Sequence, residues 1–143
     1  MSFKAANFVN WDDIANYCRE LRVQETPDLI LAVHRGGLPI GVLLSHKFHV
    51  PVEILYFSRY DSNTKIKCNL SRKEEYNRIL LVDDVSDKGE SLQRITEFLS
   101  RRYFIKELTT LTYAIKNKTQ FKPTYFKKEY DDHIWLIFPW EAI

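Results

Sequence analysis

The chain has 143 residues, enough for one domain with a real core and too few for two. Its apolar residues make up 45% of the sequence, yet no run of them approaches the roughly 20 that a membrane-spanning helix needs, which excludes a helical membrane protein. A net charge of +2 neither demands nor excludes a polyanionic partner, because lysines and arginines are interspersed with acids along the chain. No apolar core of signal-peptide length precedes Trp11-Asp12-Asp13, and Cys18 and Cys68 match neither a disulfide framework nor a zinc spacing, so a reduced, cytoplasmic protein is expected.

Asn10 can cap a first helix over about residues 11–22, in which Trp11, Ile14, Ala15, Cys18 and Leu21 recur on one face and Asp12 and Asp13 sit in the first turn. Residues 29–33 have the composition of a short buried strand. After Arg35-Gly36-Gly37 a helix from about Pro39 carries Ile40, Val42, Leu43, Leu44 and Phe48. Residues 52–58 make the next strand. Residues 59–77 are polar with mixed charges and predict a long exposed loop, either a mobile lid or a hairpin misread as a loop. A strand over 79–82, a helix carrying Leu92, Ile95, Phe98 and Leu99, and a strand over 107–115 follow. Beyond the Phe121-Lys122-Pro123 turn, residues 125–128 and 134–138 read as short strands. Alternating strands and helices predict an α/β fold with a mostly parallel sheet flanked by helices, and the C-terminal aromatics predict a small appended cap over 116–143.

The most informative string is Ile79-Leu80-Leu81-Val82-Asp83-Asp84-Val85-Ser86-Asp87-Lys88-Gly89-Glu90-Ser91. Its four leading apolar residues do not alternate, as expected of a central parallel strand covered on both faces. Asp83 and Asp84 therefore stand at the carboxyl end of that strand, the edge at which open α/β sheets bind ligands. The turn from Asp87 to Ser91 opens the following helix, where free amides and the macrodipole favour a phosphate.

This string resembles the phosphoribosyl pyrophosphate motif of type I phosphoribosyltransferases, and the order of the other segments agrees. Ala32-Val33-His34-Arg35-Gly36-Gly37 is similar to the family's pyrophosphate loop, and Ser58-Arg59-Tyr60-Asp61 resembles the start of its mobile hood. Ala114-Ile115-Lys116, Lys122-Pro123 and Trp135-Leu136-Ile137-Phe138-Pro139-Trp140-Glu141 are similar to the base-recognition end of the 6-oxopurine branch, which holds the hypoxanthine-guanine and xanthine-guanine enzymes. The resemblance covers about residues 10–143 and implies a single domain of that fold with a small C-terminal hood or cap.

The resemblance implies a purine salvage enzyme that joins a 6-oxopurine to phosphoribosyl pyrophosphate and releases pyrophosphate. Arg35 and Gly36 would hold pyrophosphate, and Asp83 and Asp84 the ribose hydroxyls, directly or through Mg²⁺ bound by way of substrate or water. Amides of Lys88, Gly89, Glu90 and Ser91 would cradle the 5′-phosphate, and Asp87 would face N7 of the purine as general acid or base. Trp135 would stack on the base, Lys116 would donate to its O6, and the main chain of Leu136 would read the far edge. Ser58 and Tyr60 would belong to the hood. Two positions depart from the family: Lys88 stands where Thr is usual, and Ile137 is apolar where some relatives carry a polar residue. A homodimer or homotetramer is expected by the same resemblance.

Other readings are weighed on the same residues. Lys118 rivals Lys116 as the O6 donor, and Trp135 and Trp140 could be core aromatics. A phospho-receiver domain also opens on an apolar strand with paired acids, but only 59 residues follow Asp84, too few for that fold. A non-catalytic protein sensing phosphoribosyl pyrophosphate or nucleotides on the same fold is the alternative function; retention of Asp87, Lys116 and Trp135 together favours the enzyme. The four histidines show no ligand spacing, and no basic stripe is visible in the sequence, so nucleic acid is not the expected partner.

Overall fold

The computed structural model describes residues 5–60 and 63–143. In chain order its elements are β1 (Ala5–Phe8), α1 (Trp11–Glu20), β2 (Leu29–His34), α2 (Leu38–Phe48), β3 (Val52–Tyr60), β4 (Asn63–Cys68) and β5 (Glu75–Val82), followed by β6 (Val85–Ser86), α3 (Glu90–Arg102), β7 (Phe104–Leu111), β8 (Ala114–Lys116), β9 (Lys128–Tyr130) and β10 (Ile134–Ile137). Five strands form the central sheet in the order β4-β3-β2-β5-β7, parallel except for the edge strand β4. Two smaller parallel sheets, β1-β10 and β6-β8-β9, form the C-terminal cap and its support.

Strand β5 lies between β2 and β7, and its last four residues are buried on both faces, as its unbroken apolar run requires. Leu80 and Val82 join Ile14, Ile40 and Leu44 of α1 and α2 in one core, whereas Ile79 and Leu81 join Leu92, Ile95 and Leu99 of α3 in the other. The alternation of side chains along one strand thus divides the molecule into two cores with α3 alone on one side.

Helix α1 starts where the capping signal places it. Asp13 N donates to Asn10 Oδ1 at 2.8 Å and Asn10 N donates to Asp13 Oδ2 at 3.0 Å, a reciprocal capping box. Its far end is held by Lys47 of α2, whose Nζ donates to the carbonyls of Cys18 (2.7 Å), Arg19 (3.0 Å) and Leu21 (2.6 Å). One ammonium thereby satisfies three carbonyls that the helix end leaves unpaired and ties α2 to α1.

Burial between these helices and the sheet pushes the Cys18 thiol up from 9.0 to about 11, and raises the neighbouring Tyr17 hydroxyl, which donates to Thr112 O at 2.8 Å. Both groups are neutral acids whose folded value lies above the unfolded one. The stability that Cys18 lends is whole below about pH 9 and is lost as pH rises through 9 towards 11, while that of Tyr17 is lost from about pH 10 upwards. Cys18 alone should account for about 2 kcal/mol of that loss. Guanidinium unfolding curves near pH 8 and near pH 11 check this, and Cys18→Ala should flatten the difference.

The structure corrects four expectations. Residues 59–77 are not one long loop: β3 and β4 pair antiparallel from Leu55↔Cys68 to Tyr60↔Asn63, and β5 starts at Glu75. Along β4, exposed and half-buried residues alternate with period two, and the strand's charges lie on a solvent face, which makes a hairpin look like a loop in composition. The strand expected over 107–115 is two strands. β7 ends at Leu111, whose carbonyl accepts from Asp83 N at 3.0 Å, and the amides of Tyr113 and Ala114 both turn to Asp84 O at 3.0 and 3.2 Å. The chain is pulled out of the main sheet at the acid pair and continues as β8 beside β6. The strand expected over 125–128 lies at β9 instead, with Tyr125 making only an isolated bridge to Leu111. Strand β1, which the sequence does not announce, is exposed throughout and exists by pairing with β10. No described helix is long and apolar enough to cross a membrane.

Candidate active site

The carboxyl ends of β2 and β5 meet because two glycines let them. Gly37, at the start of α2, lies so close to the end of β5 that an added Cβ would stand 2.2 Å from Val82 O. At Gly36 an added Cβ would stand 2.2 Å from Asp84 Oδ2, so the absence of a side chain lets the acid lie over the Arg35-Gly36 loop. The His34–Arg35 peptide is cis, and Gly37 N donates to Val33 O at 2.8 Å.

Asp83 and Asp84 face two different cavities. Asp83 lines one of about 240 Å³ with Arg59, Asp87, Lys88, Gly89, Glu90 and Ser91, and Asp84 lines another of about 730 Å³ with His34, Arg35, Gly36, Trp140 and Glu141. Asp84 N donates to Asp83 Oδ1 and Val85 N to Asp84 Oδ1, each at 2.8 Å, which fixes both carboxyls. Burial raises the pKa of both, making them weaker acids, and the charge of Asp84 adds to the rise at Asp83. A buried pair that resists carrying two charges gains from hydroxyl donors or a cation placed against it.

The smaller cavity is lined by the turn from Asp87 to Ser91. Gly89 takes φ +89°, a left-handed conformation, and a Cβ there would lie 2.5 Å from Phe121 N. The positive φ swings the chain into α3, whose first residues Glu90 and Ser91 line the cavity along with Lys88. The cap holds this turn from behind: Ser86 Oγ donates to Phe121 O at 2.9 Å, and Gln120 N donates to Lys88 O at 3.0 Å. Glu90 points to Arg59, whose guanidinium holds the exposed Glu90 carboxyl below its ordinary range.

The ladder between β6 and β8 sets the next relation. Val85 pairs with Ala114 and Ser86 with Ile115, so Asp87 and Lys116 stand at adjoining ends of two parallel strands about 5 Å apart. Lys116 is 5% exposed and its Nζ donates to Ile134 O on β10. Lys118 is 73% exposed at its side chain and paired with Asp132 at 3.1 Å. Burial therefore separates the two lysines: Lys116 is inside the cap, Lys118 outside it. On β10, Ile137 O accepts from Val9 N at 2.9 Å. By the alternation of a parallel ladder, the N–H and C=O of Leu136 then face away from β1, on the edge where Lys116 meets Ile134 O. Trp135, between them, is half exposed, while Trp140 stacks on Phe138 at 5.0 Å and packs against Trp11.

Two of the expected residues are placed elsewhere. Ser58 lies on β3 opposite Lys65 and lines a separate groove, because period-two alternation sends it to the face opposite Arg59. Tyr60 pairs with Asn63 at the hairpin end, and its side chain lies outside the described residues. The hood contact that reaches the acid cavity is Arg59, and the larger cavity adds Trp140 and Glu141. The sequence held one signal for Arg59, its position between Ser58 and Tyr60 in the hood string, and none for the alternation that turns it inward.

Among the described residues no three His, Cys, Asp or Glu side chains converge as metal ligands. The acid pair fits a hard cation of the kind that keeps its waters and takes its remaining ligands from substrate phosphates, with Asp83 and Asp84 as the protein's share.

A mostly parallel sheet whose central strand ends in paired acids, followed by a phosphate cradle and a cap carrying a buried lysine, is the architecture of the type I phosphoribosyltransferases. Comparison with known proteins agrees on the family and the fold. The chain belongs to the family of the phosphoribosyl transferase domain, which matches residues 8–142. It is 25% identical over 144 aligned positions to the xanthine-guanine phosphoribosyltransferase of Idiomarina loihiensis, covering 94% of this chain and 86% of that one. Among solved structures, the purine phosphoribosyltransferase of Pyrococcus horikoshii is 28% identical with a TM-score of 0.78, covering 96% of this chain and 95% of that one. The xanthine-guanine-hypoxanthine phosphoribosyltransferase of Helicobacter pylori shares the fold at 21% identity, with a TM-score of 0.81 over 96% of this chain and 93% of that one.

Proposed function

We propose that the chain is a purine phosphoribosyltransferase that moves the 5-phosphoribosyl group from phosphoribosyl pyrophosphate to N9 of a 6-oxopurine, giving a nucleoside 5′-monophosphate and pyrophosphate. The observation that carries this reading is the β6–β8 register, which sets Asp87 and the buried Lys116 at adjoining strand ends. In the reaction the bond from C1 of the ribose to pyrophosphate breaks, the bond from C1 to N9 forms, and the base loses one proton. Asp87 lies at the mouth of the phosphate cradle, where it would accept or share that proton through N7. Arg35 and the Gly36 backbone line the cavity that would hold the departing pyrophosphate, and the Lys88-to-Ser91 turn the one that would hold the 5′-phosphate. Asp83 and Asp84, facing one cavity each, would grip the ribose hydroxyls between them. Mg²⁺, when bound with the substrate against these acids, would supply charge neutralisation on the pyrophosphate oxygens.

Lys116 would donate to O6 of the base, an acceptor in guanine, xanthine and hypoxanthine and replaced by a donor in adenine. Trp135 offers its half-exposed ring for stacking, and the free edge of Leu136 offers main-chain groups to the far side of the base. A spectrophotometric assay of the three 6-oxopurines and adenine with phosphoribosyl pyrophosphate and magnesium tests the whole reading; turnover of at least one 6-oxopurine and not of adenine is expected, and no turnover with any of them rejects it.

Two substitutions refine it. Lys116→Ala should raise the KM for the base by about tenfold or more, since a charged hydrogen bond is worth roughly 1.5–3 kcal/mol, whereas Lys118→Ala should leave it unchanged. Steady-state kinetics in base at fixed phosphoribosyl pyrophosphate separates them. Lys88→Ala should raise the KM for phosphoribosyl pyrophosphate with little change in that for the base, and an unchanged value would remove Lys88 from the 5′-phosphate site.

A further inference from the structure

Outside the site just described, the molecule gathers its positive charge in one place. Two adjoining clefts, of about 730 and 860 Å³, share Thr64, Phe98 and Arg102 as walls and run between β4 and α3. Arg72, Arg94, Arg101 and Arg102 line the first, and Lys65 and Lys67 line the second together with Arg102. Among the described residues, six of the chain's 21 lysines and arginines thus face one continuous groove, with Glu97 the single acid lining it. Among the described residues none of the six is in an ion pair. Like charges assembled without counter-charges repel one another, so such a groove is stabilised by an anion entering it.

The groove also has apolar faces of a definite kind. Arg94, Phe98, Arg101 and Arg102 follow helical spacing on the flank of α3 beside the buried Leu92, Ile95 and Leu99, and Phe98 packs partly against that core. The Arg102 guanidinium lies over the Phe98 ring, 5.0 Å from its centroid, and Arg94 Nη1 donates to Thr64 Oγ1 at 2.5 Å, so two of the arginines are already oriented. At the end of the same cleft, Phe104 is 68% exposed, an open aromatic face beside guanidinium forks. Forks of this kind bind phosphate oxygens two at a time, and an open ring accepts a planar base.

We propose that this groove is a binding site for a nucleoside polyphosphate, with its phosphates among Arg72, Arg94 and Arg101 and its base on Phe104. The volume suits a ligand of that size. A compact anion is favoured over a polymer because the charge is concentrated: outside the groove the rest of the sequence holds 15 cations against 18 acids, so no excess of cations is left to track a longer strand. The site is separate from the reaction site, since none of the six cations lines either of the two cavities there. The proposed function enters the test only through GMP as the occupant of the reaction site, and the R72Q/R101Q comparison is independent of it.

Calorimetric titration of the full chain with ATP, repeated with GMP present, tests it. The expected result is a binding component that GMP does not displace, that R72Q/R101Q weakens about tenfold or more, and that Phe104→Ser weakens for ATP but not for inorganic triphosphate. Arg72 and Arg101 are exposed and unpaired, so R72Q/R101Q should keep the wild-type Tm, and Phe104→Ser gives an independent readout. The absence of ATP binding, binding that R72Q/R101Q leaves unchanged, or complete displacement by GMP would overturn the proposal. So would equal affinity for ATP and inorganic triphosphate, or binding of a single-stranded DNA 12-mer by a protein that does not bind ATP.

Discussion

Asp87→Asn is expected to lower kcat by about 10² to 10⁴ while leaving the KM values for both substrates within a few-fold of wild type. The side chain keeps its size and one oxygen, so the cradle that Asp87 lines should keep its shape; what is lost is the capacity to take a proton from the base as N9 attacks. The residue is exposed in the turn, which gives it no packing role to lose. Stopped-flow or steady-state kinetics separates the outcomes. An equal loss in kcat and in substrate affinity would recast Asp87 as a ligand of the base rather than a participant in proton transfer, and unchanged kinetics would remove it from the reaction.

Gly37→Ala is expected to cost at least about 3 kcal/mol of stability, the upper end of what overpacking costs. For a chain of this length that amounts to a fall in Tm of roughly 10 °C. The reason is the rigidity of what the new methyl group meets. At Gly36 the obstacle is a carboxylate that can rotate, but at Gly37 it is Val82 O at 2.2 Å, with Val33 N at 3.0 Å, both held in strands. The backbone of the pyrophosphate loop has to move instead, and with it Arg35. Thermal unfolding measures the first effect, and a raised KM for phosphoribosyl pyrophosphate in the surviving folded protein measures the second. A Tm within two or three degrees of wild type would mean that the two strand ends are not packed together as described.

What was legible in the sequence follows local physics. The capping pair Asn10 and Asp13, the unbroken apolar run ending at Val82, and the turn at Gly89 are each set by residues within a few positions of one another, and each lies where expected. What was not legible depends on partners distant in sequence. Strand β1 has an exposed, unremarkable sequence and is a strand only because β10, more than 120 residues later, pairs with it. The break after Leu111 comes from the Asp84 carbonyl drawing in the amides of Tyr113 and Ala114. Arg59 could not be told from Ser58 as the inward residue until the β3–β4 register fixed which face each takes. The basic groove was hidden for the same reason: its cations come from 65–72 and 94–102, where the intervening acids made the charge look evenly spread.

The contact between Lys116 and Ile134 O bears on how sharply the cap would discriminate among bases. A purine with an oxygen at C6 would replace one carbonyl acceptor by another, so the ammonium would trade like for like and recognition would cost little dehydration. Adenine would displace the same carbonyl with an amino group that cannot accept, costing the buried ammonium that hydrogen bond. Rejection of the wrong base would then exceed anything the right base gains in affinity: the cap would select by penalty, with the protein's own carbonyl serving as the reference ligand against which every base is measured.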